Sequence, residues 1–242
     1  MSKLLITSGC SFSDVSFMNC KTWPLILTDL LTEYKTLHLG KSSNGNGLIS
    51  RRLIHSIADA LKNNKSSDIL VGVMWSGPAR YDFYNEGSEY KNTKPVIYTI
   101  ENPTGFVNET KNWIVYNHLW DDNITPNCAT YYKKFYDPIY GQITTIEHVL
   151  RTQWFLEKHN IKYFMSTYKS EVFSSEFINH PEVEYLYKQI DFDKFLPIIG
   201  QLEWCMEHTD LELPKNRHPS SEQNKKFTDE IIIPFLKEKQ YI

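Results

Sequence analysis

The chain has 242 residues, a formal net charge of −3, 41% hydrophobic and 23% charged residues. These values suit one large globular domain with a full core, and they give no electrostatic argument for nucleic acid or an anionic membrane surface. No apolar run approaches the roughly 20 residues that span a bilayer. Near the N-terminus a single Lys precedes a short Leu-Leu-Ile, not the longer apolar core of a signal peptide, so a cytoplasmic location is expected.

Cys10, Cys20, Cys128 and Cys205 form no C-x-x-C pair and show no metal-ligand spacing. Without a secretion signal, all four are expected as free thiols. The 15 Tyr, 13 Phe and 6 Trp either build a carbohydrate-stacking surface or fill the core and its loops.

In chain order, Leu4–Ser8 predicts a short buried strand ended by Gly9. Residues 23–34 carry Leu27, Leu30 and Leu31 at helical spacing, and Thr36–Leu39 reads as a second strand. Residues 46–61 again show a helical stripe, through Leu48, Ile49, Leu53, Ile57 and Leu61. From Ile69 to Trp75 no polar side chain intervenes, which predicts a strand covered on both faces, as in a parallel sheet. Strands alternating with helices predict βαβ units and a three-layer α/β fold.

Residues 81–139 break this rhythm. They are rich in Tyr, Asn, Thr and Pro, carry no helical stripe, and predict a long insertion with a small hairpin around Val96–Ile100. Long irregular segments are often lids or binding loops. Periodic order returns in a helix over 143–159, a strand over 161–165, and a last helix over 220–239 that Pro234 should kink or interrupt.

Ligands of open α/β sheets bind beyond the carboxyl ends of the strands. Ser11, in Gly9-Cys10-Ser11-Phe12-Ser13, is therefore placed for nucleophilic chemistry, or else closes a tight turn. A nucleophilic serine needs a base and donors for the oxyanion. His218, held before Pro219 on a loop, is the candidate base. Residues 40–47, Gly-Lys-Ser-Ser-Asn-Gly-Asn-Gly, offer a backbone open to close approach and a helix N-terminus suited to negative charge. The alternative is a flexible turn with an Asn cap. Arg80 either clamps an anionic group with its planar fork or is a surface residue. Arg51 and Arg52 read as solvated or as partners of an acid.

Together these blocks resemble those of the SGNH/GDSL-type hydrolases, most of all divergent members encoded by bacteriophages. Residues 9–13 stand at the nucleophile block, Ser42-Ser43-Asn44-Gly45 at the second, residues 73–80 at the third, and Asn216-Arg217-His218-Pro219-Ser220 at the last. The resemblance implies a single domain over 1–242 with a mostly parallel central sheet, flavodoxin-like in layering. It implies no cofactor and no metal. The implied roles are Ser11 as nucleophile, His218 as base and Asn216 behind it, with Ser43, Asn44, Ser76 and Arg80 around the oxyanion and substrate. The substrate would be a small ester or an acylated carbohydrate.

Three departures qualify the match. Asn216 stands where the family has an acid, although Asp210 or Glu212 could serve from the same loop. The third block has no asparagine, for which Asn44 could supply an amide. Cys10 replaces the acidic second residue of the first block, and as a nucleophile in its own right it lacks a neighbouring cation to lower its pKa. A binding or virion-associated module with impaired catalysis is thus the alternative to an esterase.

Overall fold

Ile69–Trp75, the most apolar strand of the sequence, lies inside the sheet and is buried at every residue. The computed structural model describes residues 3–16, 20–84, 113–118, 127–209 and 217–242. Its central sheet has four parallel strands, β1 (Lys3–Ser8), β2 (Tyr34–His38), β3 (Ile69–Trp75) and β6 (Lys162–Thr167), in the order β2-β1-β3-β6. A single parallel bridge, Met165 to Phe195, extends the sheet beyond β6. Counting parallel strands alone, the order is 2-1-3-4, that of a flavodoxin-like doubly wound sheet.

The chain leaves β1 through α1 (Trp23–Leu30) to β2, then travels back through α2 (Asn46–Ala60) to β3. Right-handed crossovers taken in opposite directions place α1 and α2 on opposite faces. Helix α4 (Pro138–Lys158) packs beside α2, while α8 (Ser221–Phe227) packs beside α1. The chain is therefore an α/β protein with a parallel sheet between two helical layers. Close packing is sharpest at Gly72, where a Cβ would lie 2.6 Å from Phe164 Cζ and 3.0 Å from Trp23 Cη2.

Several boundaries differ from the sequence expectations. Helix α1 stops at Leu30, and Tyr34, expected as its last residue, instead opens β2 and is buried. Helix α4 begins at Pro138, five residues before the expected start. Asp137 caps it by accepting from Ile139 N and Tyr140 N at 2.8 and 3.2 Å, and Pro is favoured in the first turn that follows such a cap.

The 81–139 segment is not irregular throughout. Strands β4 (Arg80–Tyr84) and β5 (Trp113–Asn117) pair antiparallel, and α3 (Cys128–Lys134) is helical. Seven residues with neighbouring tyrosines are too few to show a helical period, and the cluster of Tyr81, Tyr116, Tyr131 and Tyr132 supplies the packing instead. The expected hairpin around Val96–Ile100 lies outside the described residues.

Three short helices follow β6: α5 (Ser175–Ile178), α6 (Pro181–Tyr187) and α7 (Gln201–His208). The last helical segment is interrupted as Pro234 requires. A π-helical turn over Thr228–Ile232 joins α8 to α9 (Ile233–Glu238), with Pro234 in the first turn of α9, where its missing N–H costs least. All four cysteines are free. Among the described residues no helix is long and apolar enough to cross a membrane, and no cluster of His, Cys, Asp or Glu could hold a metal.

Candidate active site

The switch point of the sheet lies between β1 and β3, because the chain departs from β1 to one side and returns to the other. The turn that follows β1 sits at this crevice. Ser11–Ser13 form one turn of 3₁₀ helix, closed by Ser13 N donating to Cys10 O at 2.9 Å. The turn is fixed from below: Trp23 Nε1 donates to Ser13 Oγ at 3.0 Å, and Phe12 is buried. Glycine is required at positions 9 and 40, since a Cβ at either would fall on Ser13. Leu39 N and Lys41 N donate to Thr7 O and Gly9 O at 2.7 and 3.1 Å, carrying the β1–β2 pairing into the two loops.

Ser11 Oγ and His218 Nε2 are 2.8 Å apart. His218 is held by the turn at Arg217 and by the anchored chain that follows it. Arg217 takes a left-handed backbone, φ 56°, a conformation uncommon for a non-glycine residue. Pro219 is buried, and its carbonyl accepts from Asn224 Nδ2 at 3.1 Å. Ser220 then starts α8 with a capping box to Gln223, which satisfies two helix-terminal donors at once. The His218 ring packs on Phe12 at a centroid distance of 4.9 Å. Asn216, Asp210 and Glu212 lie outside the described residues.

The second loop meets the first through Asp14, a residue the sequence reading did not single out. Its carboxylate is buried and accepts from Ser42 N at 2.8 Å and from Ser16 N and Oγ at 2.9 and 2.7 Å. Lys41 Nζ lies 3.5 Å away. Ser43, the next residue, has φ 68°, a left-handed backbone uncommon for a non-glycine residue. No hydrogen bond among the described residues takes up the Ser11 or Ser43 N–H.

Two expectations for this loop are corrected. The Asn44 amide is fully buried and donates to Gly9 O at 3.2 Å, tying the loops together. The first N–H groups of α2 face a protein carboxylate: Asp82, from β4, accepts from Gly45 N at 2.9 Å and Leu48 N at 2.8 Å. Burial pushes the Asp82 carboxyl up to about 6, against the pull of those two donors and of Arg51 and Arg80. Asp82 was also missed in the sequence, where it sits inside the supposed insertion.

Ser76 is an anchor: Asn46 accepts from its N–H and donates to its carbonyl, both at 2.8 Å, and its hydroxyl is buried. Asn46 Nδ2 also donates to Thr145 Oγ1 at 3.1 Å, so both of its amide hydrogens are taken. Arg80 Nη1 donates to Asn44 O at 3.2 Å, and the guanidinium lies 5.8 Å from the Tyr168 ring centroid. Arg52 is not solvated. It is buried, which lowers its pKa to about 10, and the nearby Asp14 charge opposes that shift.

The arrangement holds a hydroxyl against an imidazole at the carboxyl end of a parallel sheet. No protein-family model matches the chain, and no curated protein matches it. Among solved structures it is similar to the X-ray structure of the protein YxiM from Bacillus subtilis. The TM-score is 0.50 at 10% identity, covering 99% of this chain and 57% of that one. The chain spans little more than half the length of that protein, and at this identity what the two share is the α/β fold.

Proposed function

We propose that the protein is a serine hydrolase that removes an acyl group from a small ester or an O-acylated carbohydrate. The observation that carries this reading is the 2.8 Å approach of His218 Nε2 to Ser11 Oγ, within the reach a general base requires. In the proposed reaction Ser11 Oγ attacks the ester carbonyl as Nε2 takes its proton. The Ser11 and Ser43 N–H groups stabilise the tetrahedral oxyanion. His218 returns the proton to the leaving alcohol, and water activated by the same imidazole cleaves the acyl-serine. The order of four sequence blocks shared with SGNH/GDSL-type hydrolases supports the assignment, as does the position of Ser11 at the switch point of the sheet.

The test is covalent labelling with a fluorophosphonate, together with turnover of p-nitrophenyl acetate. Labelling should map to Ser11, and Ser11→Ala should abolish it and lower turnover by about 10³ or more. Labelling that persists in the Ala variant, or maps elsewhere, rejects the assignment. One observation favours a second reading, a binding module with impaired catalysis: the Asn44 amide, an expected oxyanion donor, is committed to Gly9 O. Absence of Ser11-dependent turnover across several acyl esters would select it.

A further inference from the structure

A recess of about 210 Å³ adjoins the Ser11–His218 pair, and Arg80, His118, Tyr168, Lys169, Glu171 and Arg217 line it. Its lining residues are linked to the site. Arg217 precedes His218 in the chain, and the Phe12 ring touches both His218 and Tyr168, at centroid distances of 4.9 and 5.2 Å. Arg80 is bonded to Asn44 O, and Asn44 in turn is bonded to Gly9 O.

The charge of this recess is opposite to that of the chain. Overall the protein carries a net −3, yet three cationic side chains, Arg80, Lys169 and Arg217, converge here on one acid, Glu171. Among the described residues none of the three cations forms an ion pair with a carboxylate. Glu171 is exposed as a residue, but its carboxyl lies against Tyr168, whose hydroxyl donates to it. Desolvation there raises its pKa despite Arg80. His118 is lowered by burial and then by Arg80 and Lys169, a second sign of a positive field. The Tyr168 ring orients two of the cations, with Arg80 and Lys169 at 5.8 and 5.4 Å from its centroid.

We propose that this recess is an anion subsite, and that the ester substrate carries an oxyanion substituent, a carboxylate or a phosphate, next to the acyl group cleaved at Ser11. A planar guanidinium and a lysine converging on a walled recess form a charge-assisted binding site for such a group. The proposal extends the serine-hydrolase reading and rests on it for the identity of the reacting bond.

The experiment has a binding arm that needs no turnover. Phosphate and acetate are titrated by calorimetry into Ser11→Ala protein, and into the same protein carrying Lys169→Gln and Arg217→Gln. Saturable binding of at least one anion is expected, weakened about tenfold by the two added substitutions. No binding, or binding that the substitutions leave unchanged, overturns the subsite. In the turnover arm, kcat/KM is compared for O-acetylated glucose, O-acetylated galacturonate and O-acetylated glucose 6-phosphate. One acidic ester should exceed the neutral one by about tenfold, and the ester that does so identifies the anion as carboxylate or phosphate. That ratio should fall towards one in Lys169→Gln/Arg217→Gln and stay unchanged in Lys62→Gln, a substitution on the open surface. Equal turnover of all three esters overturns the proposal. Anion binding that depends on Lys169 and Arg217, without any Ser11-dependent turnover, would sustain the subsite while rejecting the hydrolase reading.

Discussion

Ser42 N donates to Asp14 Oδ2 at 2.8 Å, and this bond fastens the loop after β2 to the turn that carries Ser11. Asp14 is thus a positioning residue: it ties Ser42, the neighbour of the proposed donor Ser43, to the turn that carries Ser11. Asp14→Ala leaves the half-buried Ser42 N–H without its acceptor and removes the charge that offsets buried Arg52. A loss of about 2–4 kcal/mol of stability is expected, read by urea denaturation. In protein that remains folded, the rate of fluorophosphonate labelling at Ser11 should drop about tenfold or more, since misplaced donors stabilise the transition state poorly. An unchanged labelling rate would remove Asp14 from the site.

What could be read in the sequence follows from the range of the interactions involved. Strands β1 and β3 and helix α2 were legible because their burial is written as local apolar pattern. Ser11 and His218 were singled out by the blocks around them, and the fold brings the two into hydrogen-bond contact across 207 residues of chain. Asp14 and Asp82 were not legible, because the bonds that tie them to the loop after β2 and the start of α2 come from backbone N–H groups 28 to 37 residues away. A backbone donor leaves no residue-type signature. Tyr34 was misplaced for a related reason: it continues the spacing of Leu27, Leu30 and Leu31, but burial under the sheet edge decides its conformation.

Asp82 should leave a mark on the pH dependence of stability. Its folded pKa of about 6 lies above its ordinary value of 3.8, so the native state binds more protons than the unfolded chain between these limits. The resulting stabilisation is complete below about pH 4 and is lost as the pH rises through 6. A shift of this size is worth on the order of 2–3 kcal/mol. Asp82→Asn does not titrate, so the stability difference between wild type and this variant isolates the carboxyl. The wild-type advantage should shrink between pH 4 and pH 7. An advantage that grows over the same range would mean that the Gly45 and Leu48 donors, with Arg51 and Arg80, outweigh burial.

Gly72 tests the packing at the centre of the sheet. An alanine there would place its methyl 2.6 Å from Phe164 Cζ and 2.9 Å from Phe164 Cε1, with Trp23 at 3.0 Å. Both rings are buried and meet each other edge-on at a centroid distance of 5.7 Å, so neither can swing into solvent. Gly72→Ala should cost about 1–3 kcal/mol through overpacking, measured as a shift in urea midpoint without a change of slope. Because Trp23 also donates to Ser13 Oγ in the turn that carries Ser11, a displaced Trp23 ring would pull on that turn. Labelling of Ser11 in the folded variant should therefore fall by more than about twofold. Labelling equal to wild type would show that the turn holds its place without Trp23.

The last prediction concerns Asn216, two residues before His218, where SGNH/GDSL-type hydrolases carry an acid. An amide can orient an imidazole but compensates its positive charge poorly, and exchanging the corresponding Asp for Asn in a serine protease lowers turnover by about 10⁴, on the order of 5 kcal/mol of barrier. If Asn216 holds that position in the proposed mechanism, Asn216→Asp should raise turnover of p-nitrophenyl acetate. The gain should be about tenfold, well short of the full deficit, because the groups around an amide are arranged to donate to and accept from it, and a carboxylate only accepts. The gain must vanish in the Asn216→Asp/Ser11→Ala double variant, which separates it from hydrolysis by a new surface acid. A pH–rate profile gives the second readout: a carboxylate behind His218 raises the imidazole pKa, and since the neutral imidazole is the working base, the rise of activity on the acid side should come at a higher pH in the Asp variant than in wild type. Fast wild-type turnover with neither change would assign the orienting role to another acid of the same loop, Asp210 or Glu212, and replacing each with Asn would then identify it by the loss it causes.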